Sequence, residues 1–182
     1  WQKISPIINK MHLTWNAYQP KAAQKGATQE MLSSFSSSLN GLTNSIVSKN
    51  KSYTLISANN CYGEITKLFS IYKKKNISEV KKLKYLTRNA ILSSISSDWM
   101  QANKNISDLK TIWDLLKNML GEENKEAKNT LDFSIIELEK VVKEKNQPLT
   151  DIKGKITLTN IEEIDKSLQK ATEQTDKSSR KS

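Results

Sequence analysis

The densest grouping of side chains able to do chemistry lies between Met11 and Pro20, where His12, Trp15, Asn16 and Tyr18 occur together. His12 is the only histidine and Cys61 the only cysteine. An imidazole works as a general base when a carboxylate orients it, and the nearest acid in sequence is Glu30. Nucleophilic chemistry at Cys61 requires His12 beside it in space and a lowered thiol pKa. The preferred reading makes Cys61 a small apolar residue in a core. On a helix, His12, Trp15 and Asn16 are neighbours at spacings of three and four, so they form one surface with an aromatic body and polar tips. That surface suits a small ligand or a partner protein, with His12, Trp15, Asn16 and Tyr18 as contacts. The competing reading packs Trp15 into the core and bonds His12 and Asn16 to a neighbouring helix.

Motifs of the common enzyme classes are absent. There is no GxSxG elbow, Walker loop, dinucleotide fingerprint or HExxH pair in the chain. One Cys and one His exclude a disulfide framework, an iron–sulfur cluster, a zinc finger and a two-histidine metal site on this chain alone. The expectation is a non-enzymatic protein with no catalytic residues, no metal and no cofactor.

Charge offers a second line of argument. The 29 basic residues exceed the 19 acidic ones by ten, an excess that points towards anionic partners. Only Arg88 and Arg180 are arginines, and lysine lacks the planar fork used for base readout. Sequence-specific DNA binding is therefore not expected. The excess is uneven, and one cluster stands out: Lys73, Lys74, Lys75, Lys81, Lys82, Lys84 and Arg88 surround the single Glu79. Read blandly, these lysines close one helix and wet the face of the next. Read sharply, they form a patch for anionic wall polymer, lipid headgroups or nucleic-acid backbone. Arg88 sits at the edge of an apolar stripe, where it can pair with Asp98 or Glu79, or hold a carboxylate or phosphate.

These groups need a scaffold, and the composition makes it helical. Gly and Pro together number eight of 182 residues, too few for sheets joined by tight turns or for glycine-rich phosphate loops. Apolar residues recur at helical spacing almost throughout. Seven segments follow, at about 5–18, 28–49, 52–74, 78–96, 98–120, 122–145 and 148–170. The first is expected to stop at Gln19-Pro20. The third carries Leu55, Ala58, Tyr62, Ile65, Phe69 and Tyr72 in alternating steps of three and four, a seam of coiled-coil type. Ser97 or Asp98 caps the fifth, whose face runs from Trp99 through Trp113 to Leu120. The seventh uses Leu149, Ile152, Ile156, Ile161 and Ile164, with a short strand over the β-branched run 156–159 as its alternative.

Turns at Asn50-Lys51, Ser97-Asp98 and Asn146-Gln147 recur at intervals of about 47 and 48 residues. Short connections force neighbouring helices antiparallel, which predicts an all-α up-and-down bundle or a short stack of helical hairpins with six to seven helices. Residues 1–170 are expected to form one domain. Residues 171–182, Lys- and Ser-rich with no large apolar side chain, are expected to be a disordered tail. No stretch approaches the ~20 apolar residues of a membrane span. The chain opens at Trp1 without a methionine, so a cleaved leader upstream is the expectation, and any membrane attachment would run through an anchor before Trp1.

The stretches HLTWNAYQPKAAQKGA at 12–27, LKYLTRNAI at 83–91 and DWMQANKNISDLKTIWDLLK at 98–117 resemble a group of uncharacterised small helical-bundle lipoproteins of clostridia and bacilli. In that group a Trp-Asn near the mature N-terminus precedes helical hairpins. The resemblance spans residues 10–170 and rests on packing motifs. It implies an extracytoplasmic, lipid-anchored, all-α protein of Gram-positive type, and it supplies no reaction. Together these readings describe an extracytoplasmic helical protein that binds a partner protein or small ligand. The alternative is a lysine-rich electrostatic adaptor on an anionic cell-surface polymer, a membrane surface or nucleic-acid backbone.

Overall fold

The computed structural model describes the backbone of residues 1–72 and 75–178 and the side chains of residues 1–72 and 77–169. Seven α-helices lie among the described residues: α1 (Ser5–Gln24), α2 (Gln29–Val47), α3 (Lys51–Phe69), α4 (Lys75–Ile95), α5 (Trp99–Lys117), α6 (Lys125–Lys143) and α7 (Gln147–Ser178). Single 3-10 turns follow α3 and precede α6. No strand occurs among the described residues, and the 156–159 run is helix. No described helix is long and apolar enough to cross a membrane. The chain divides into two compact units, Trp1–Lys75 and Asn76–Ser182, where the sequence reading has one domain over 1–170. The backbone of α7 continues to Ser178, into the stretch expected to fray, and residues 179–182 lie outside the described residues.

Three turns are built the same way. Lys49, Ser97 and Lys145 adopt left-handed backbone with φ of 52°, 57° and 54°. This conformation stops a helix and is disfavoured for any residue with a Cβ. The next residue in each case caps the following helix. The side chains of Asn50, Asp98 and Asn146 accept from the backbone N–H of Tyr53, Gln101 and Leu149 at 2.9, 3.0 and 3.1 Å. Both sets recur every 48 residues, so the connections α2–α3, α4–α5 and α6–α7 are three copies of one hairpin turn. Burial follows the same period: Phe35, Leu83 and Leu131 are all buried, as are Leu42, Ala90 and Leu138, and Leu68, Leu116 and Ile164.

In the first unit, α1 packs on α2 and α2 on α3, around Ile8, Trp15, Phe35, Leu39, Leu42 and Cys61. The second unit closes α4 to α7 around Val80, Leu83, Leu109, Trp113, Leu138 and Ile161. Each unit is a packed helical bundle.

Three local expectations need correction. Pro20 lies inside α1, which continues to Gln24. Proline there forfeits one hydrogen bond to the carbonyl four residues back. The turn beyond it is held by fully buried Ala22 and stopped by Gly26, with φ 98°. The apolar seam of the third segment is only partly inward: Leu55, Ala58 and Tyr72 are exposed, Tyr62, Ile65 and Phe69 are half-buried with Ile65 against the core, and the fully buried positions of α3 include Ser57, Cys61, Thr66 and Leu68. Large side chains on α2 fill the interface from their side, so α3 approaches with its small ones. The first half of α7 shows the same displacement, with Thr150, Gly154 and Thr157 buried and Leu149, Ile152 and Ile156 exposed, whereas Ile161 and Ile164 are buried as expected.

Candidate functional site

The first unit holds an open cleft of about 380 Å³ between α1 and α2, lined by His12, Leu13, Trp15, Asn16, Gln19, Ser36, Leu39 and Asn40. Its floor is aromatic. Trp15 is buried, with its ring centroid 4.3 Å from that of Phe35 and its indole N–H donating to Ser36 Oγ at 2.8 Å. The Ser36 hydroxyl donates in turn to the Leu32 carbonyl at 2.9 Å and also accepts from Gln19 Nε2 at 3.4 Å. One serine therefore fastens two α1 side chains to α2.

His12 is held in the same manner. Its Nε2 lies 2.8 Å from Thr43 Oγ1, and the Thr43 hydroxyl donates to the Leu39 carbonyl at 2.9 Å. With the hydroxyl proton so used, Thr43 accepts and Nε2 carries the hydrogen, which leaves Nδ1 as an acceptor in the neutral ring. Asn16 and Asn40 are exposed on the rim, and each carboxamide brings two donors and an acceptor. No charged residue lines the cleft.

Of the sequence candidates, the structure brings His12, Trp15 and Asn16 to one cleft. Tyr18 turns away from it. Its ring tilts against Trp15 at 6.1 Å, and its hydroxyl bonds to that of Tyr72. Burial first, and the Tyr72 contact second, push the Tyr18 hydroxyl up to about 12. Arg88 is half-buried on α4 in the second unit. Gln19, Ser36 and Asn40 were not singled out from sequence. Gln19 follows Asn16 by three and Trp15 by four, a legible spacing, whereas Ser36 and Asn40 sit in a serine-rich stretch that only the pairing of α1 with α2 marks.

The basic cluster is partly neutralised. Lys82 pairs with Glu79 at 3.0 Å, and Lys84 with Asp165 at 2.7 Å. Lys81 is half-buried. Lys73, Lys74 and the side chain of Lys75 lie outside the described residues. Cys61 is buried in the core of the first unit. Burial, and then the Glu64 carboxylate, push its thiol up to about 11, so it is protonated at neutral pH.

A larger cleft of about 500 Å³ in the second unit is lined by residues including Glu123, Glu126, Asn160, Glu163 and Lys166. Asn124 bridges its walls, donating to Glu123 at 2.8 Å and accepting from Ser167. Among the described residues, no group of three or more His, Cys, Asp or Glu is arranged to hold a metal ion. Comparison with known proteins finds no matching family model, no matching curated protein and no matching solved structure.

Proposed function

We propose that this chain is a non-enzymatic binding protein, acting outside the cytoplasm, whose α1–α2 cleft takes a small uncharged ligand rich in hydroxyl or amide groups. The observation that carries the reading is the composition of the cleft. Four uncharged polar side chains, Asn16, Gln19, Ser36 and Asn40, and one imidazole converge over a buried tryptophan with no charge in the lining. Its volume falls in the usual range for small-molecule sites. Carboxamides pair with diols and amides alike through paired donors and acceptors, and with an uncharged wall a neutral ligand strands no buried charge. The protonated, buried Cys61 supports the absence of nucleophilic chemistry.

The test uses N-acetylglucosamine as probe, since it carries both hydroxyls and an amide. Titration followed by ¹H–¹⁵N NMR is expected to shift the side-chain amides of Asn16, Gln19 and Asn40, with millimolar affinity typical of an open polar site. The Asn16→Ala/Asn40→Ala double variant should abolish those shifts without altering the melting temperature. Spectra unchanged by the sugar, and by N-acetylalanine methylamide as a second neutral probe, would overturn the proposal. The electrostatic alternative draws less support, because Lys82 and Lys84 already face carboxylates within their own unit.

A further inference from the structure

The outer face of the α6–α7 hairpin carries large apolar side chains that the described residues of the second unit leave uncovered. Phe133 is 70 % exposed and Ile136 55 %, and Leu149, Ile152 and Ile156 on α7 are exposed as well. Their common face follows from the register of the hairpin. Lys153 meets Glu137 at 3.1 Å, and the Thr157 hydroxyl donates to the Ser134 carbonyl at 3.2 Å. With those contacts between the helices, helical geometry turns Phe133 and Ile156 outward on the same side. The five side chains present on the order of 500 Å² of apolar surface, in the upper range for the largest patch of a monomer.

The charges along α6 indicate what covers this face. Glu126, Phe133 and Lys140 are spaced seven apart, so they fall on one line of the helix, with the acid at one end, the base at the other and the ring midway. Both charged side chains are exposed, and neither has an ion-pair partner among the described residues. A two-fold axis through Phe133 lays Lys140 of a second copy over Glu126 at both ends of the contact.

We infer that this chain pairs with a second copy of itself through α6, antiparallel and two-fold, with Phe133 at the centre and the exposed residues of α7 beside it. The apolar area is smaller than the ~800 Å² per partner of a stable dimer, so the pair is weak, with a dissociation constant on the order of 10 to 100 µM. This inference is independent of the α1–α2 cleft.

Sedimentation velocity on the full chain between 5 and 500 µM tests it. A concentration-dependent monomer–dimer equilibrium is expected. Phe133→Glu should weaken association at least tenfold with an unchanged melting temperature. Glu126→Lys and Lys140→Glu should each weaken it several-fold, whereas the double variant E126K/K140E should restore it, because a two-fold contact exchanges both charges together. A chain that stays monomeric at 500 µM overturns the inference. So does a dimer indifferent to Phe133→Glu, or a double variant weaker than both single ones.

Discussion

Lys84 Nζ lies 2.7 Å from Asp165 Oδ2, with the two side chains only 12 % and 8 % exposed, and this pair ties α4 to α7 in the core of the second unit. Gln169 donates a further bond to Asp165 at 3.1 Å. A pair so withdrawn from water contributes little net stability, because each charge has lost its hydration, but removing one partner strands the other. Lys84→Met and Asp165→Leu should therefore each destabilise the fold by about 3–5 kcal/mol. The double variant K84M/D165L should cost far less than the sum. Urea unfolding of the four proteins completes the cycle, and simple additivity would refute the buried-pair account.

Lys84 also occupies a position that the hairpin repeat reuses. Ser36, Lys84 and Asp132 are each separated by 48 residues, and all three bind a side chain on another helix of their own unit: Trp15, Asp165 and Trp113. In the first unit the bond is neutral and part-buried. Ser36→Ala should cost about 1–2 kcal/mol, since the Trp15 indole N–H loses its acceptor. Trp15→Phe keeps a ring against Phe35 and removes the donor, so adding Ser36→Ala to it should cost little more. Chemical denaturation of W15F, S36A and the pair measures the coupling.

The hairpin turns were legible because their signals are local. An Asx residue followed by an apolar period marks a cap wherever it occurs, and Asn50, Asp98 and Asn146 all do so. The site was half legible for the same reason: His12, Trp15 and Asn16 meet through helical spacing, but Ser36 and Asn40 join them only through tertiary pairing. The inward faces of α3 and of the first half of α7 were only partly legible, because an apolar stripe reports where large side chains lie and says nothing of where room exists. Ser57, Gly154 and Thr157 carry almost no hydrophobic signal, yet their small size lets neighbouring helices approach, whereas Cys61 is buried as its apolar character leads one to expect.

Gly154 is the sharpest instance. A Cβ built there would lie 2.5 Å from Ile91 Cγ1 and 2.6 Å from its Cδ1, and Ile91 is itself buried on α4. Alanine improves helix propensity by about 1 kcal/mol, but overpacking costs about 1–3 kcal/mol. With the neighbour branched and confined, the collision wins. Gly154→Ala should lower stability by about 1 kcal/mol net, and Ile91→Ala, which clears both atoms, should make the same glycine substitution stabilising. Thermal melts of G154A with and without I91A decide the matter; a stabilising G154A in the native background would show that α4 and α7 have slack.

Cys61 makes the fold sensitive to alkali. Its thiol titrates at about 11 in the folded chain against an ordinary value of 9.0, so the unfolded chain loses its proton first. The contribution is fully present below the ordinary thiol pKa and is lost as pH rises from about 9 towards 11. Two pKa units correspond to at most about 3 kcal/mol. Lysines and tyrosines titrate in the same window, so the informative quantity is the stability difference between the native chain and Cys61→Ala. At pH 7.5 the alanine variant should be the less stable by about 1 kcal/mol, the loss of a small buried group. By pH 10.5 the gap should close or reverse, because only the native chain has a thiol to ionise on unfolding. Iodoacetamide should label Cys61 slowly at pH 8 without denaturant and rapidly in urea. A stability difference that stays constant from pH 7.5 to 10.5 would mean that the thiol is far better hydrated than its burial in the core of the first unit allows.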